Sequence, residues 1–275
     1  MKLLFSIFLG AFLLASPSGF ATELNHLQSA KADGYHLVKS EKLERSFHVY
    51  VQLPREYNDT DQDYPVIYLL DGGTNFPMLA PYYFLLKFDE PMPEAIIVGI
   101  SYGANSRAEG NYRGTDYTAP SPERETYGGA SAYQDFLSDE LLPLIEGKYR
   151  ADTSRRILFG QSIAGQFVLY SAMTRPDLFW GRIASNPALH RNLEFFLNLE
   201  ATKPTTQPRV FIAAATRDDD RFKTPRDAWL QRWENETPPW PLEVQDLEGE
   251  YHASAAPLSF RAGMRWLFPT EDNDN

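Results

Sequence analysis

Polar and apolar residues alternate over Ser46–Leu53 (SFHVYVQL), a period of two that predicts a strand with one buried face, closed at Pro54. Two later segments, Tyr64–Gly73 (YPVIYLLDGG) and Ala95–Ile100 (AIIVGI), run apolar with little interruption. That pattern belongs to strands covered on both faces, as in a parallel sheet. From Ser101 to Ala130 the chain is rich in Gly, Pro, Asn, Ser and Thr and predicts a long loop. The period then becomes helical. Phe136, Leu137, Leu141, Leu144 and Ile145 mark one face of Ala132–Tyr149, with Pro143 expected to kink it. Arg155–Gly160 (RRILFG) predicts a short strand, and Ala164–Phe179 a helix stopped at Pro176. Strand patterns return in RIASNPAL, Arg209–Thr216 (RVFIAAAT) and Leu242–Leu247, before a last helix over Ala256–Leu267. Strands separated by helical segments predict an α/β protein, a mostly parallel central sheet with helices on both faces.

The N-terminus changes the picture of where this domain works. Met1 and Lys2 precede an apolar run, Leu3–Ala15, and then SPSGFA, with the small residues Gly19 and Ala21 where a signal peptidase reads. Residues 1–21 are therefore expected to be a signal peptide, and residues 22–275 one exported domain, periplasmic or secreted. No later apolar run approaches the ~18 residues of a membrane helix, so no stable membrane insertion is expected after cleavage. The chain contains no cysteine, which excludes disulfides, thiolate metal sites and cysteine nucleophiles. Its formal net charge of −11, with no basic cluster to offset it, argues against a nucleic-acid partner. Composition says nothing of oligomeric state.

Two stretches fit a serine-nucleophile pattern: GISYG at Gly99–Gly103 and GQSIAG at Gly160–Gly165. The chemistry needs a strand, a sharp turn at the serine and then a helix, whose first N–H groups face the developing negative charge. Ser101 follows a strand, but YGANSRAEGNYRG cannot sustain a helix after it. Ser162 stands between RILF and an amphipathic helix, and Ala164 is small enough for the close approach the turn requires. Ser162 is the better nucleophile; a structural turn without chemistry is the alternative.

A serine hydroxyl needs a base, and histidine suits that task near neutral pH. His26, His36 and His48 come early; His190 and His252 follow Ser162. Only His252 leaves room for a strand bearing an acid between it and the serine, the order Ser, acid, His. RVFIAAATRDDD supplies that acid as Asp218, with Asp219 and Asp220 as open alternatives. Three adjacent carboxylates lack the alternating spacing of a calcium loop. The oxyanion needs two N–H donors. Ile163, after the serine, is one, and LLDGG offers Gly73 as the other, with Asp71 there read as a turn-forming carboxylate.

The ordered set LPREYNDTDQDYPVIYLLDGG, AIIVGI, YGGASAYQDFLSDELLPLIEGKYRAD, ILFGQSIAGQFVLY, PDLFWGRIASNPAL and EYHASAAPL resembles the esterase D group of α/β-hydrolases, from about Phe47 to Phe268. That group includes enterochelin-type siderophore esterases, S-formylglutathione hydrolases, feruloyl esterases and mycobacterial mycolyltransferases. The resemblance implies an α/β-hydrolase fold and a triad on Ser162, Asp218 and His252. It also implies an oxyanion hole on Gly73 and Ile163, a small-molecule ester as substrate, and no cofactor or metal. It departs at GQSIAG, where many members carry a further glycine, and at RDDD, where the acid is ambiguous. For an exported member, siderophore or other aryl or acyl esters are the expected substrates. Tyr82, Tyr83, Phe84, Arg107, Tyr112 and Arg113 are candidate walls for an aryl group. An acyltransferase sharing the same acyl-enzyme, and a non-hydrolytic binding protein on the same fold, are the competing functions.

Overall fold

A computed structural model describes residues 32–269; the expected signal peptide lies outside the described residues. Eight strands form one sheet: β1 (Gly34–Ser40), β2 (Arg45–Gln52), β3 (Tyr64–Leu69), β4 (Ile96–Ser101), β5 (Ala151–Gln161), β6 (Gly181–Ser185), β7 (Arg209–Ala215) and β8 (Leu242–Leu247). Their spatial order is β1-β2-β4-β3-β5-β6-β7-β8. The pairs β1–β2 and β2–β4 are antiparallel, and every pairing from β4 through β3 to β8 is parallel.

The helices are α1 (Gly72–Asp89), α2 (Arg113–Asp116), α3 (Ala130–Phe136), α4 (Leu142–Lys148), α5 (Ile163–Thr174), α6 (Leu193–Asn198), α7 (Asp220–Asn235) and α8 (Ala256–Leu267). They cover both faces of the sheet. Along β3, Val66 and Tyr68 join Phe136, Phe167 and Trp229 in one core, while Ile67 and Leu69 join Leu79, Phe260 and Met264 in the other. This double burial is why the central strands lack alternation in sequence. None of the described helices is long and apolar enough to cross a membrane.

The kink expected at Pro143 takes a specific form. A π turn, Leu137–Leu141, joins α3 to α4 in one continuous helical run, and Pro143 follows it at the start of α4, where its ring and missing N–H fit the widened turn before it. The helix after Ser162 stops at Thr174, earlier than Phe179, and Pro176 opens a separate 3-10 turn over Pro176–Leu178. Beneath that corner lies Arg182 of β6, fully buried, donating to the carbonyls of Arg175, Pro176 and Phe179 at 2.6–2.9 Å. The guanidinium thus ties together the carbonyls of the turn that follows α5.

Candidate active site

Strand order places the site. From β3 the chain runs outward on one side to β4, and from β5 outward on the other to β6. Helices α1 and α5 therefore start side by side at the C-terminal edge of β3 and β5, the switch point at which open α/β sheets bind ligands.

One residue, Ser162, makes the whole turn between β5 and α5, at φ 60 and ψ −116. That conformation strains any residue with a Cβ and persists only where its surroundings fix it. Three backbone bonds do so. Ser162 N–H donates to Ser185 O at 2.9 Å, and its carbonyl accepts from Gln166 N–H at 2.9 Å and Ala188 N–H at 3.1 Å. A Cβ on Gly160 would stand 2.4 Å from Ala164 O, and one on Gly165 would stand 2.9 Å from Ser185 O. Close approach is needed at 160 and 165, and Ala164 fits fully buried between them.

His252 lies on the loop between β8 and α8, with Nε2 2.8 Å from Ser162 Oγ and Nδ1 2.7 Å from Asp218 Oδ2. The three side chains, spread over 91 residues of sequence, form one hydrogen-bonded line. Burial separates the three aspartates. The Asp218 side chain is 1% exposed, and its other oxygen accepts from Asp219 N–H at 2.7 Å. Asp219 instead caps α7 through Arg221 N–H, and Asp220 is 87% exposed against Lys223. Ser101 is buried at the end of β4, its Oγ accepting from Gly103 N–H at 3.0 Å, with no described histidine bonded to it. Among the other described histidines, His36 meets Tyr149 and His48 meets Tyr35, each at 2.8 Å. His190 faces the site without touching the serine. Burial, then Arg191 and Arg221, lower its pKa, so it is neutral at neutral pH.

Gly73 and Ile163 are each four residues past a paired position, since Leu69 of β3 pairs with Phe159 of β5. Both sit in the first turn of a helix, where no intrahelical acceptor exists. Neither donates its N–H to a loop or strand acceptor among the described residues. Two helix N-termini thus present free N–H groups at the same sheet edge.

Several supporting side chains complete the site, most of them without a sequence signal. Phe222 of α7 stacks on the His252 ring, centroids 4.0 Å apart and planes 17° apart. The His252 carbonyl accepts from Asn186 Nδ2 at 3.0 Å and from Gln161 Nε2. Asn186 also accepts from Ala215 N–H at 2.7 Å, tying the histidine loop to the end of β7. Its φ of 42 suits asparagine, and the Asn-Pro step in RIASNPAL was a readable turn mark.

Two cavities meet here. One of about 390 Å³ opens over Ser162 and Ile163 and is lined by Arg107, Arg124, Arg191 and Phe222, with no carboxylate among the described residues. The other, about 650 Å³, is lined by Gly73, Asp71, Arg113, Gln161 and Ala253, and Asn111 borders both. The proposed aryl walls divide accordingly. Arg107 and Arg113 line these cavities; Tyr112 lines neither but carries the guanidinium groups of Arg45 and Arg107 on its ring. Tyr82, Tyr83 and Phe84 line neither. They belong to α1, where Tyr83 is buried with its hydroxyl on Pro93 O and Phe84 packs under Arg55.

Residues 40–257 match the model of the Esterase family ("Putative esterase"). The ferri-bacillibactin esterase BesA of Bacillus subtilis is 28% identical over 257 residues, covering 84% of this chain and 87% of BesA. The apo-salmochelin esterase of Escherichia coli O6:H1 is 28% identical over 173 residues, 58% of this chain and 54% of that protein. Among solved structures, an IroE-like serine hydrolase from Shewanella oneidensis superposes with a TM-score of 0.72 at 24% identity, covering 86% of this chain and 80% of that one. The siderophore hydrolase EstB from Aspergillus nidulans gives a TM-score of 0.72 at 22% identity, covering 88% and 97%. The chain belongs to the Esterase family and is a carboxylic ester hydrolase on the α/β-hydrolase fold.

Proposed function

We propose that this esterase works through an acyl-enzyme on Ser162 and that its substrates are siderophore-type aryl esters. The observation that carries the mechanism is the hydrogen-bonded line from Ser162 Oγ through His252 to the buried Asp218. Ser162 Oγ attacks the ester carbonyl as His252 Nε2 takes its proton. Asp218 holds the imidazole by Nδ1, fixing the tautomer with Nε2 free to accept, and stabilises the imidazolium. The carbonyl oxygen, now negative, lies on the N–H groups of Ile163 and Gly73. His252 then protonates the departing alcohol. Water, deprotonated by His252, attacks the acyl-serine and releases the acid.

Two observations support the substrate class. The relatives include a ferri-bacillibactin esterase and an apo-salmochelin esterase. Among the described residues, the cavity over Ser162 carries three arginines and no carboxylate in a chain of net charge −11, so its chemistry is locally cationic. Catechol rings are flat, and deprotonated catecholate is anionic, which matches guanidinium stacking and charge. The apolar run Leu3–Ala15 supports export, where such esters would be met.

A panel of a catecholate trilactone, a feruloyl ester and a short p-nitrophenyl ester tests this reading. The trilactone is expected to give the highest kcat/KM. Hydrolysis of the short ester without the trilactone overturns the substrate class. Turnover of none of the three counts against the acyl-enzyme reading itself.

A further inference from the structure

Asp71 stands between β3 and the first turn of α1, and it does not do what an aspartate there ordinarily does. An N-cap aspartate turns its carboxylate onto the N–H of the second or third helical residue. In α1 those residues are Gly73 and Thr74, and the Asp71 side chain bonds to neither. Arg113 takes both oxygens instead, Nε to Oδ1 at 2.8 Å and Nη2 to Oδ2 at 2.7 Å. The backbone of Asp71 is held as well, in the left-handed region at φ 51 and ψ 42. Its N–H donates to the Tyr117 hydroxyl at 3.3 Å, and its carbonyl accepts from Thr74 and Asn75 at 2.9 and 3.0 Å.

Arg113 reaches Asp71 from a different part of the chain, the short α2 within the long loop after β4. That turn is anchored on its far side. Asp116 is 1% exposed, with both oxygens on Arg45 Nη1 at 2.8 Å and one on the Tyr102 hydroxyl at 2.9 Å. The Arg113 N–H donates to Asn111 Oδ1 at 3.1 Å. Burial opposes the Arg113 charge, but the hydrogen bonds and charge of Asp71 outweigh it and raise its pKa above the ordinary arginine value. The guanidinium stays charged throughout the working range.

A Cβ on Gly72 would stand 2.4 Å from Ile100 N, so the start of α1 is pressed flat against the end of β4. A carboxylate without its arginine, two residues before the Gly73 N–H, would compete for that donor and repel a developing oxyanion.

We propose that Arg113 is a positioning residue of the oxyanion hole: its two-pronged hold on Asp71 turns the carboxylate away from the Gly73 N–H and cancels its charge. This rests on the assignment of Ser162 and Gly73 made above. Arg113 touches no reacting atom; it acts through Asp71.

The test is a double-variant comparison with kcat and KM read separately, alongside melting curves. Arg113→Met is expected to lower kcat by about 10²-fold, the scale of losing one oxyanion donor, and to change KM far less. Adding Asp71→Asn to it removes the liberated charge, and kcat is expected to recover by about tenfold or more. Arg113→Lys keeps the charge without the fork and should fall between wild type and Arg113→Met. If Arg113→Met melts below the assay temperature, Arg113→Gln alone and with Asp71→Asn gives the same comparison. A double variant no more active than its arginine single variant overturns the proposal, because the liberated Asp71 charge is then not what lowers kcat. A loss confined to KM overturns it too. Ser162→Ala in the same assay separates the two claims: activity surviving there defeats the active-site reading, whatever the arginine variants do.

Discussion

Ser162→Ala is expected to lower kcat on a p-nitrophenyl ester by about 10⁴-fold or more, and Ser101→Ala to leave most of the activity. The two serines sit in almost the same local pattern, so the contrast isolates geometry from motif. Ser162 Oγ has a base at 2.8 Å and lies at the N-terminus of a 12-residue helix. Ser101 Oγ is occupied by the N–H of Gly103 and is followed by loop. Without the Ser162 hydroxyl, a water held between His252 and the oxyanion donors is all that remains, and such residual catalysis is small beside the acyl-enzyme route. Equal losses in the two variants would assign the chemistry to the wrong turn.

The second large effect belongs to Asp218. Its replacement by alanine is expected to cost about 10⁴-fold in kcat, because His252 then loses the partner that fixes its tautomer and stabilises its cation. Alanine at Asp219 or Asp220 is expected to leave kcat nearly intact. Asp219→Ala should instead show in a denaturation experiment, lowering stability by about 1 kcal/mol as the capping bond to Arg221 N–H is lost. The three neighbours thus separate on two independent readouts. A large kcat loss at Asp219 or Asp220, with Asp218→Ala unimpaired, would mean that the loop rearranges in the working enzyme.

Much of this site could be read from the chain because its parts carry strong local marks. A glycine before the serine, an apolar strand upstream and a helical period downstream are short-range features, and they locate the elbow. The place of His252 followed from order alone, after the last strand and before the last helix. The choice among Asp218, Asp219 and Asp220 could not be made from sequence, since three adjacent carboxylates look alike until the fold buries one. Helix α1 gave no helical reading because Pro77 and Pro81 lie inside it. Strand β1 and helix α7 were also unmarked; α7 is polar over most of its length, carries Pro225 and buries only Arg226 and Trp229. The aromatic wall was misread at Tyr82, Tyr83 and Phe84, since aromatic residues serve core and surface packing as readily as a ligand. Arg113 was picked out as a wall residue; its hold on Asp71, 42 positions away, is a tertiary fact with no local trace.

The most direct test of the central claim is covalent. A p-nitrophenyl phosphonate, whose phosphorus mimics the tetrahedral acyl centre, is reacted with the purified chain, and the modified peptide is identified by mass spectrometry. One phosphonyl group on the peptide bearing Ser162, formed in step with the loss of esterase activity and absent from His252→Ala, is the predicted result. Label on the peptide bearing Ser101, or full inactivation with Ser162 unmodified, would contradict it.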